Sequence, residues 1–497
     1  MTQLYVADDT SAQAAGADAL VNAWANRADL RIVRTSSRGA FFLEPLVERE
    51  TPDGRVAWFN VTPDDLPRIV AGEGATPISA VPFLAGQRRA TFEQFGRSRP
   101  LSLDDYAACG GWAGLNRARN LAPAAIIAEL RESRLRGRGG AAFPVWQKWE
   151  AARTTDSTVK YVVANADEGD AGTYCDRMIM EGEPFRLLEG MLIGALAIGA
   201  TEGYVYCRYE YPAAARRMAE AVALAQAAGV LQVNGRPFPV HVARGAGSYV
   251  CGEETALLAS LEGRRGDVQA KPPYPAVSGL YRRPTLVSNV LTFATVAIIL
   301  ARGGAWHASL GTEASRGTVV LQVGGRVKQP GLVEIPFGST LREVLDRFGG
   351  GMMSGSRLKA VQVGGPLGSL FPEPDLDVPL CYDAFAQRGA ILGHGGIVVY
   401  DQDTDMVELA RHFMAFTADE SCGKCTPCRI GSVRGRELLE RVQQGRGTEA
   451  DLTLLRELGA TMQAASLCAL GGRAPYPVLT ALEHFPTEFT SRLVPAQ

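Results

Sequence analysis

The sequence predicts an α/β chain of several domains that closes in a helical bundle. Three stretches carry that expectation. KYVVANADEGDAGTYCDR, Lys160 to Arg177, begins as an apolar run and ends in crowded polar groups. LRGRGGAAFPVWQKW, Leu135 to Trp149, is rich in glycine and carries arginine and lysine. ESCGKCTPCRIG, Glu420 to Gly431, spaces three cysteines two residues apart and is followed by amphipathic helical patterns. The length of 497 residues leaves room for two to four domains.

Composition narrows the function class. The chain is 46% apolar and 21% charged, with a formal net charge of −2. That balance gives no sign of a nucleic-acid, membrane-surface or polyanion partner. The start, MTQLYVADDT, lacks a basic region followed by an apolar core, so no targeting segment is expected and the location is read as cytoplasmic. The most apolar stretches, Leu187–Ala200 and Leu286–Ala301, read as buried helices rather than membrane spans. Nine cysteines in such a chain point to a thiolate-held metal site rather than a disulfide framework.

Residues 1–85 form the first expected unit. LYVADD reads as a strand, SAQAAGADALVNAWANR as a helix and LRIVRT as a second strand. FFLEPLVERETPDGRVAWFNV then reads as a hairpin turning at Pro52, Asp53 and Gly54. The pattern looks thioredoxin-like. The unit has no cysteine, so it cannot hold a thiolate-ligated [2Fe–2S] cluster, and a scaffold or interaction role is expected.

Residues 86–315 hold the glycine-rich loop and the acidic run. Gly137, Gly139 and Gly140 let backbone N–H groups approach a phosphate or flat ring system, with Arg138 and Lys148 adding positive charge. The loop is neither a G-x-G-x-x-G fingerprint nor a P-loop, so a plain loop is the alternative. KYVVANA reads as a buried parallel strand ending in Asn165, Asp167, Glu168 and Asp170. Ligands of open α/β sheets bind at that end of the strands, and a solvated acidic turn is the alternative. In GAGSYVCGEETALLASLEGRRG, Glu253 and Glu254 open a helix, where simple capping also suits carboxylates. The prolines of KPPYP fix an extended loop carrying Lys271 and Tyr274.

Residues 316–400 read strand, turn, strand, helix, strand, which suggests a β-grasp domain. His394, in GHGGIVVYD, is one of five histidines and is expected to be structural. Residues 401–497 carry the cysteine motif. Thiolates at Cys422, Cys425 and Cys428 can turn onto one centre, and the only cysteine downstream is Cys468. VRGRELLERVQQ and DLTLLRELGATMQAA read as helices that fold back and deliver it. A [4Fe–4S] cluster uses this spacing with a distant fourth ligand, whereas zinc more often uses two separated pairs. A structural zinc site or free thiols are the alternatives.

RGRGGAAFP, NADEGDAGTYCDR, GAGSYVCGEETALL with KPPYP, and ESCGKCTPCRIG occur in an order that resembles one family. It is the flavin subunit that handles NADH in respiratory complex I, in NAD-reducing hydrogenases and in NAD-dependent molybdenum formate dehydrogenases. The resemblance runs from about residue 100 to the end of the chain. It implies FMN, NAD(H) and one [4Fe–4S] cluster held by Cys422, Cys425, Cys428 and Cys468. It also implies a Rossmann-like flavin domain and an SLBB-type β-grasp domain. By position, Gly137, Arg138, Gly139, Gly140 and Lys148 belong to the FMN and dinucleotide cradle. Asn165 and Asp167 are implied to hold FMN, and Asn289 its phosphate region. Glu168 and Asp170 line the nicotinamide and ribose side. Phe143 and Tyr274 stack on the dinucleotide, while Tyr249, Glu253, Glu254 and Lys271 border the flavin and NADH. Glu168 and Glu254 are catalytic only in the sense of positioning, because hydride transfer itself needs no protein acid or base.

The N-terminal SRGAFFLEPLVE, with RPLSLDDY, VQVGGPLGS, CRIGSVRG and GGRAPYPVL, resembles the β subunit of formate dehydrogenase. That implies a molybdenum- and iron–sulfur-containing α subunit and a small [2Fe–2S] γ subunit as partners. The diaphorase subunit of an NAD-reducing hydrogenase or the flavin subunit of complex I is the alternative. The chain departs from the complex I pattern at Trp146, Gln147, Ser288 and Asp170.

Overall fold

The computed structural model describes residues 1–494. Its first sheet holds β1 (Thr2–Ala7), β2 (Leu30–Thr35), β3 (Val47–Thr51), β4 (Gly54–Trp58) and β5 (Thr76–Pro77) in the order β2-β1-β3-β4-β5. β1 and β2 run parallel, and the remaining neighbours antiparallel, as a thioredoxin-like sheet requires. The hairpin turns at Gly54, whose φ of +110° suits glycine. The single helix expected after β1 is two, Thr10–Ala14 and Ala17–Trp24, because Gly16 takes a left-handed φ of +104° between them. The segment before β3 is a 3₁₀ turn at Phe41–Leu43 rather than a strand.

This unit is fastened to the next by polar contacts. The Thr10 N–H and hydroxyl both donate to the carboxylate of Glu181, at 2.8 and 2.7 Å. Arg177 donates to the Ser11 hydroxyl at 2.7 Å, and Arg217 pairs with Asp8. Glu181 and Arg177 lie on helix Cys175–Gly182, which directly continues the acidic run.

The second sheet is parallel throughout. β6 (Tyr161–Ala166), β7 (Glu202–Cys207), β10 (Val240–Arg244) and β11 (Thr285–Asn289) stand in the order β10-β7-β6-β11. The short β8 (Gln232–Val233) and β9 (Arg236–Pro237) form a separate hairpin. Helices cover the sheet, so β6 is buried on both faces, in keeping with its apolar run. Helix Pro184–Ile198 is buried along its whole length and packs on helix Val290–Arg302. Both lie in the apolar stretches that read as buried helices, although Leu286–Asn289 belongs to β11. No described helix is long and apolar enough to cross a bilayer.

The third sheet contains β12 (Thr318–Gly325), β13 (Gly331–Pro336), β14 (Leu358–Val363), β15 (Ser369–Pro372) and β16 (Gly396–Asp401). The order is β13-β12-β16-β14-β15, with β12 and β16 parallel. Helix Leu341–Arg347 begins with a capping box in which Thr340 and Glu343 satisfy each other's backbone N–H. This is the β-grasp pattern. Its β13 carries Glu334, a fully buried carboxylate that accepts from the N–H groups of Thr91 and Phe92 and from the Thr318 hydroxyl. Those bonds fix the segment leading into the flavin domain against the third sheet.

The C-terminal helices include Met406–Glu420, Thr426–Gln443, Glu449–Ala465, Ala469–Arg473 and Pro475–His484. They share one apolar core, and Gly431 and Gly435 let neighbouring methionines 462 and 414 approach the second of these helices.

A close approach of two helices generates a stability prediction. A Cβ at Gly190 would lie 2.1 Å from the carbonyl oxygen of Phe293. Backbone cannot yield as a flexible side chain can, so Gly190→Ala must push two buried helices apart. Overpacking of this kind costs about 1–3 kcal/mol, and a lowered chemical-denaturation midpoint of the flavin domain checks it.

Candidate functional site

A cavity of about 730 Å³ opens where three of the units meet, at the carboxyl end of β6. Its walls come from the glycine-rich loop, the acidic run, the Glu253–Glu254 turn, the Lys271–Val277 loop, the Ser288–Asn289 turn, the loop before β16 and the Cys468 turn. The volume suits a cofactor or dinucleotide site.

The glycine-rich loop closes on itself before a helix. Gly137 N–H donates to the Phe143 carbonyl at 2.8 Å, and helix Val145–Thr154 begins immediately after. A Cβ at Gly139 would sit 3.0 Å from Cβ of Asn289, and Gly140 has a φ of +99°. These glycines therefore bare backbone to the cavity beside a helix N-terminus, where an anion is favoured. Phe143 and Tyr274 also face the cavity and are about half exposed, at 49% and 57%. Exposed rings on a cavity wall are free to stack on a planar ligand.

Arg138 is placed elsewhere. Its guanidinium donates to the Tyr382 hydroxyl and the Arg316 carbonyl, and it lies over the ring of Phe337. It joins the flavin domain to the β-grasp unit and is absent from the cavity wall. The positive charge at the cavity comes from Lys148, Lys271 and Arg473. Lys148 Nζ bonds Glu254 at 2.9 Å, and Lys271 Nζ bonds Glu253 at 2.9 Å and Glu254 at 3.2 Å. Burial alone would raise the Glu254 pKa, but the two lysines bring it below the ordinary range. Glu253 also caps helix Glu254–Leu261 by accepting from Thr255 and Ala256, so the capping role and the cavity role coincide. The Lys271–Tyr274 loop is not extended. It runs as a series of bends, with the Lys271–Pro272 and Pro272–Pro273 peptides both cis.

The acidic run is held group by group. Asn165 donates to the Gly252 carbonyl and accepts from the Asp167 N–H. Asp170 accepts from the Tyr249 hydroxyl at 2.7 Å, and the Tyr249 N–H donates to Glu420, just ahead of the cysteine motif. Glu168 is buried and accepts from the backbone N–H groups of Asp176 and Arg177. Asn289 caps helix Val290–Arg302 through Oδ1 and donates to Asp176 through Nδ2 at 2.5 Å. Gln147 and Ser288, two of the departures, line the cavity, whereas Trp146 lies under Arg131 outside it.

The cysteines converge as the spacing predicts. Cys425 precedes helix Thr426–Gln443, Cys428 lies in its first turn, and Cys468 precedes helix Ala469–Arg473. Burial pushes the Cys428 thiol up to about 11, helped by the nearby sulfurs of Cys425, Cys468 and Cys422, while the Ser421 hydroxyl opposes it. Among the described residues, no three of these sulfurs lie within 4.8 Å of one another. Cys468 also lines the cavity, so the cluster site and the glycine-loop site share a wall.

Two further cavity residues have no local signal that marks them. Asp176 stands inside the acidic motif, ten residues beyond the end of β6, as an ordinary first-turn carboxylate. His394 enters from the third unit on a Gly-His-Gly-Gly turn, and only those glycines hint that its backbone runs close to another segment.

Comparison with known proteins matches these parts one by one. Residues 130–298 match the Nuo51 FMN-binding domain, 320–370 the SLBB domain, and 408–492 the NADH-ubiquinone oxidoreductase-F iron-sulfur binding region. The chain is 44% identical over 411 residues to the NADP-reducing hydrogenase subunit HndC of Solidesulfovibrio fructosivorans, covering 82% of this chain and 84% of that one. It is 43% identical over 396 residues to an NADH-quinone oxidoreductase subunit of Rhizobium meliloti (strain 1021), covering 79% and 94% respectively. A chain in the crystal structure of an NAD+-reducing [NiFe]-hydrogenase in the H2-reduced state superimposes with a TM-score of 0.74 at 31% identity, covering all of this chain and 84% of that one.

One carboxyl gives this site a pH signature. Burial raises Asp167 to about 7, with Glu210 and Glu420 adding to the effect and Arg208 opposing it. The folded chain then keeps a proton that the unfolded chain has released, so stability falls as pH rises from about 4 to about 7. Asp167→Asn removes that contribution. Thermal midpoints of the flavin-stripped variant are expected to differ less between pH 5 and pH 8 than those of the parent. Buried Glu44, also raised to about 7, supplies a remaining slope.

The glycine cradle, the acidic strand end and the four spaced cysteines fit FMN, NAD(H) and a [4Fe–4S] cluster, and the chain belongs to the family of NADH-binding flavin subunits shared by complex I and NAD-reducing hydrogenases.

Proposed function

We propose that this subunit serves a soluble NAD+-dependent formate dehydrogenase. In this reading electrons from formate, oxidised in a molybdenum-containing α subunit, enter through the cluster and leave as hydride on NAD+, and the route is reversible. A small [2Fe–2S] γ subunit completes the assembly. Bound FMN supplies the conversion between single electrons and hydride. The observation that carries the redox role is the shared wall: Cys468 lines the same cavity as the glycine loop and the acidic run.

The protein's own groups then have distinct tasks. Gly137, Gly139 and Gly140 offer backbone at van der Waals distance, and the start of helix Val145–Thr154 favours a phosphate. Asn165, Asp167 and Asn289 hold the flavin side. Glu168 and Glu254 orient the reacting ring, with Lys148 and Lys271 keeping Glu254 ionised. Phe143 and Tyr274 stack on the dinucleotide. Tyr249 joins Asp170 on the hydride side to Glu420 on the cluster side.

Support for formate as the donor comes from the N-terminal unit and the motifs SRGAFFLEPLVE, VQVGGPLGS and GGRAPYPVL. Relatives named as a hydrogenase subunit and as NADH-quinone oxidoreductase subunits keep hydrogen-linked and quinone-linked complexes as the second reading. Co-purified complex tested with formate and with H2 decides between donors: formate-dependent NAD+ reduction supports the proposal, and H2-dependent reduction alone sinks it.

NADH added anaerobically to the purified chain is expected to bleach the flavin absorbance and give a reduced-cluster EPR signal. Cys425→Ser should abolish or change that signal while flavin bleaching persists. Full bleaching with an unaltered EPR spectrum in the variant would remove Cys425 from the ligand set.

A further inference from the structure

The cavity wall contains a buried group that the flavin reading does not use. His394 Nε2 lies 3.0 Å from Cys175 Sγ, 3.3 Å from Glu168 Oε1 and 3.4 Å from Asp176 Oδ2. All four residues are buried, and Glu168, Asp176 and His394 line the cavity itself. Glu168, Cys175 and Asp176 come from the acidic run and the helix after it. The histidine comes from the turn before β16 in a different unit.

The turn is built to deliver the ring. A Cβ at Gly395 would lie 2.1 Å from the Val320 carbonyl, and Gly395 has a φ of +81°. Gln322 on β12 donates to the His394 carbonyl and accepts from the N–H groups of Tyr174 and Cys175. The β-grasp unit thus grips both the histidine and the segment it faces.

Charge explains the arrangement. Glu168 and Asp176 are two buried carboxylates. Glu168 accepts two backbone N–H bonds and a bond from the Tyr211 hydroxyl, and Asp176 accepts from Leu291 N–H and the Asn289 amide. Hydrogen bonds from neutral donors do not cancel the charge. Among the described residues, His394 is the only group that forms an ion pair with either carboxylate. The side chain of Arg177 turns to Glu181 and Ser11, Arg208 meets Glu168 only at its carbonyl, and Arg473 acts on Asp170, whose charge also acts on His394. Burial alone would lower the His394 pKa, but the Asp176 carboxylate, 3.4 Å away, lifts it well above the usual histidine value. Glu168 moves below its usual value despite burial, with His394 the main opposing cause, whereas burial leaves Asp176 above its usual value although His394 opposes it. Burial keeps Cys175 a thiol.

We propose that His394 is a positioning residue of the hydride site: a fixed imidazolium, supplied by the β-grasp unit, that keeps Glu168 ionised beside Asp176 and so sets how flavin reduction responds to pH. The proposal rests on FMN occupying this cavity. Flavin reduction takes up protons with electrons. A wall whose charge is constant leaves the slope of potential against pH to the flavin alone. A wall that titrates in the same range adds its own inflection. A metal ion explains the cluster less well, since a nitrogen and a sulfur on one tetrahedral zinc stand about 3.5 Å apart, against the 3.0 Å found here.

With only five histidines in the chain, the ring can be observed directly. Histidine Cε1 NMR shifts of the full chain, with His394 assigned by its loss in His394→Gln, are expected to stay at the imidazolium position from pH 6 to 8.5. A His394 signal titrating near pH 6.5 overturns the proposal whether or not flavin is bound. Spectroelectrochemistry of the flavin forms the second arm. His394→Gln is expected to introduce an inflection between pH 6 and 8.5, as Glu168 or Asp176 takes the missing proton, and His394→Arg to restore the parental line. A flavin-loaded His394→Gln chain with the parental pH profile overturns the proposal. So does one equivalent of zinc that Cys175→Ala and His394→Gln both lose. A parent chain that neither retains flavin nor bleaches with NADH sinks the site reading instead, and the NMR arm still reports on the ring.

Discussion

Burying the acidic run behind β6 is the constraint that organises this molecule. Its own sheet provides the strand that carries Asn165, Asp167, Glu168 and Asp170 to one edge, and backbone N–H groups to receive them. Of counter-charge it provides Arg208, which opposes burial at Asp167, but not the remainder. That arrives from other segments: His394 from the β-grasp unit, and Arg473 from the helical unit. Carboxylates in a low-dielectric wall persist as anions only when such partners are close. The units are packed together at the place where their charges are needed, and the cavity lies there.

The helical unit follows a related logic. Four sulfurs must face one small volume, yet three come from a single loop and the fourth from beyond two helices. The apolar faces of Thr426–Gln443 and Glu449–Ala465 close the hairpin, with Leu439, Leu452, Leu455 and Met462 in one core. Cys468 then lies at the start of the next short helix, beside the cavity. Hydrophobic packing of ordinary helices thereby sets the position of Cys468, and the same packing brings it to the cavity wall.

Most of the architecture is legible in the sequence because it rests on local pattern. The apolar run of β6, the Thr340–Glu343 capping box and the cysteine spacing each declare themselves within a dozen residues. Lys148, Lys271 and Tyr274, read from the residues, stand on the cavity wall, as do Phe143 and Tyr249, which come from the family resemblance alone. What stays hidden depends on tertiary direction. Arg138 sits among glycines of the cradle, yet its side chain turns away to Tyr382 and Phe337. His394 lies some 220 residues from Cys175, its nearest partner, and no local pattern pairs them. Gly16 breaks a helix whose apolar spacing otherwise continues, because spacing does not report φ.

The contact between Thr10 and Glu181 bears on how such a chain is inherited. The N-terminal unit carries no cysteine, so it looks dispensable as a conductor of electrons. Glu181 is 3% exposed and relies on the Thr10 N–H and hydroxyl as donors. Cutting the unit away would remove those two donors and leave Arg177 as the partner of Glu181, on the helix that continues the acidic run. A lineage could discard cluster-binding cysteines from such a domain one at a time, with the fold intact at each step. Discarding the domain itself would also uncover the Glu181–Arg177 pair, which Thr10 and Ser11 now close off. Losing the cysteines leaves this seam untouched, whereas losing the domain opens it.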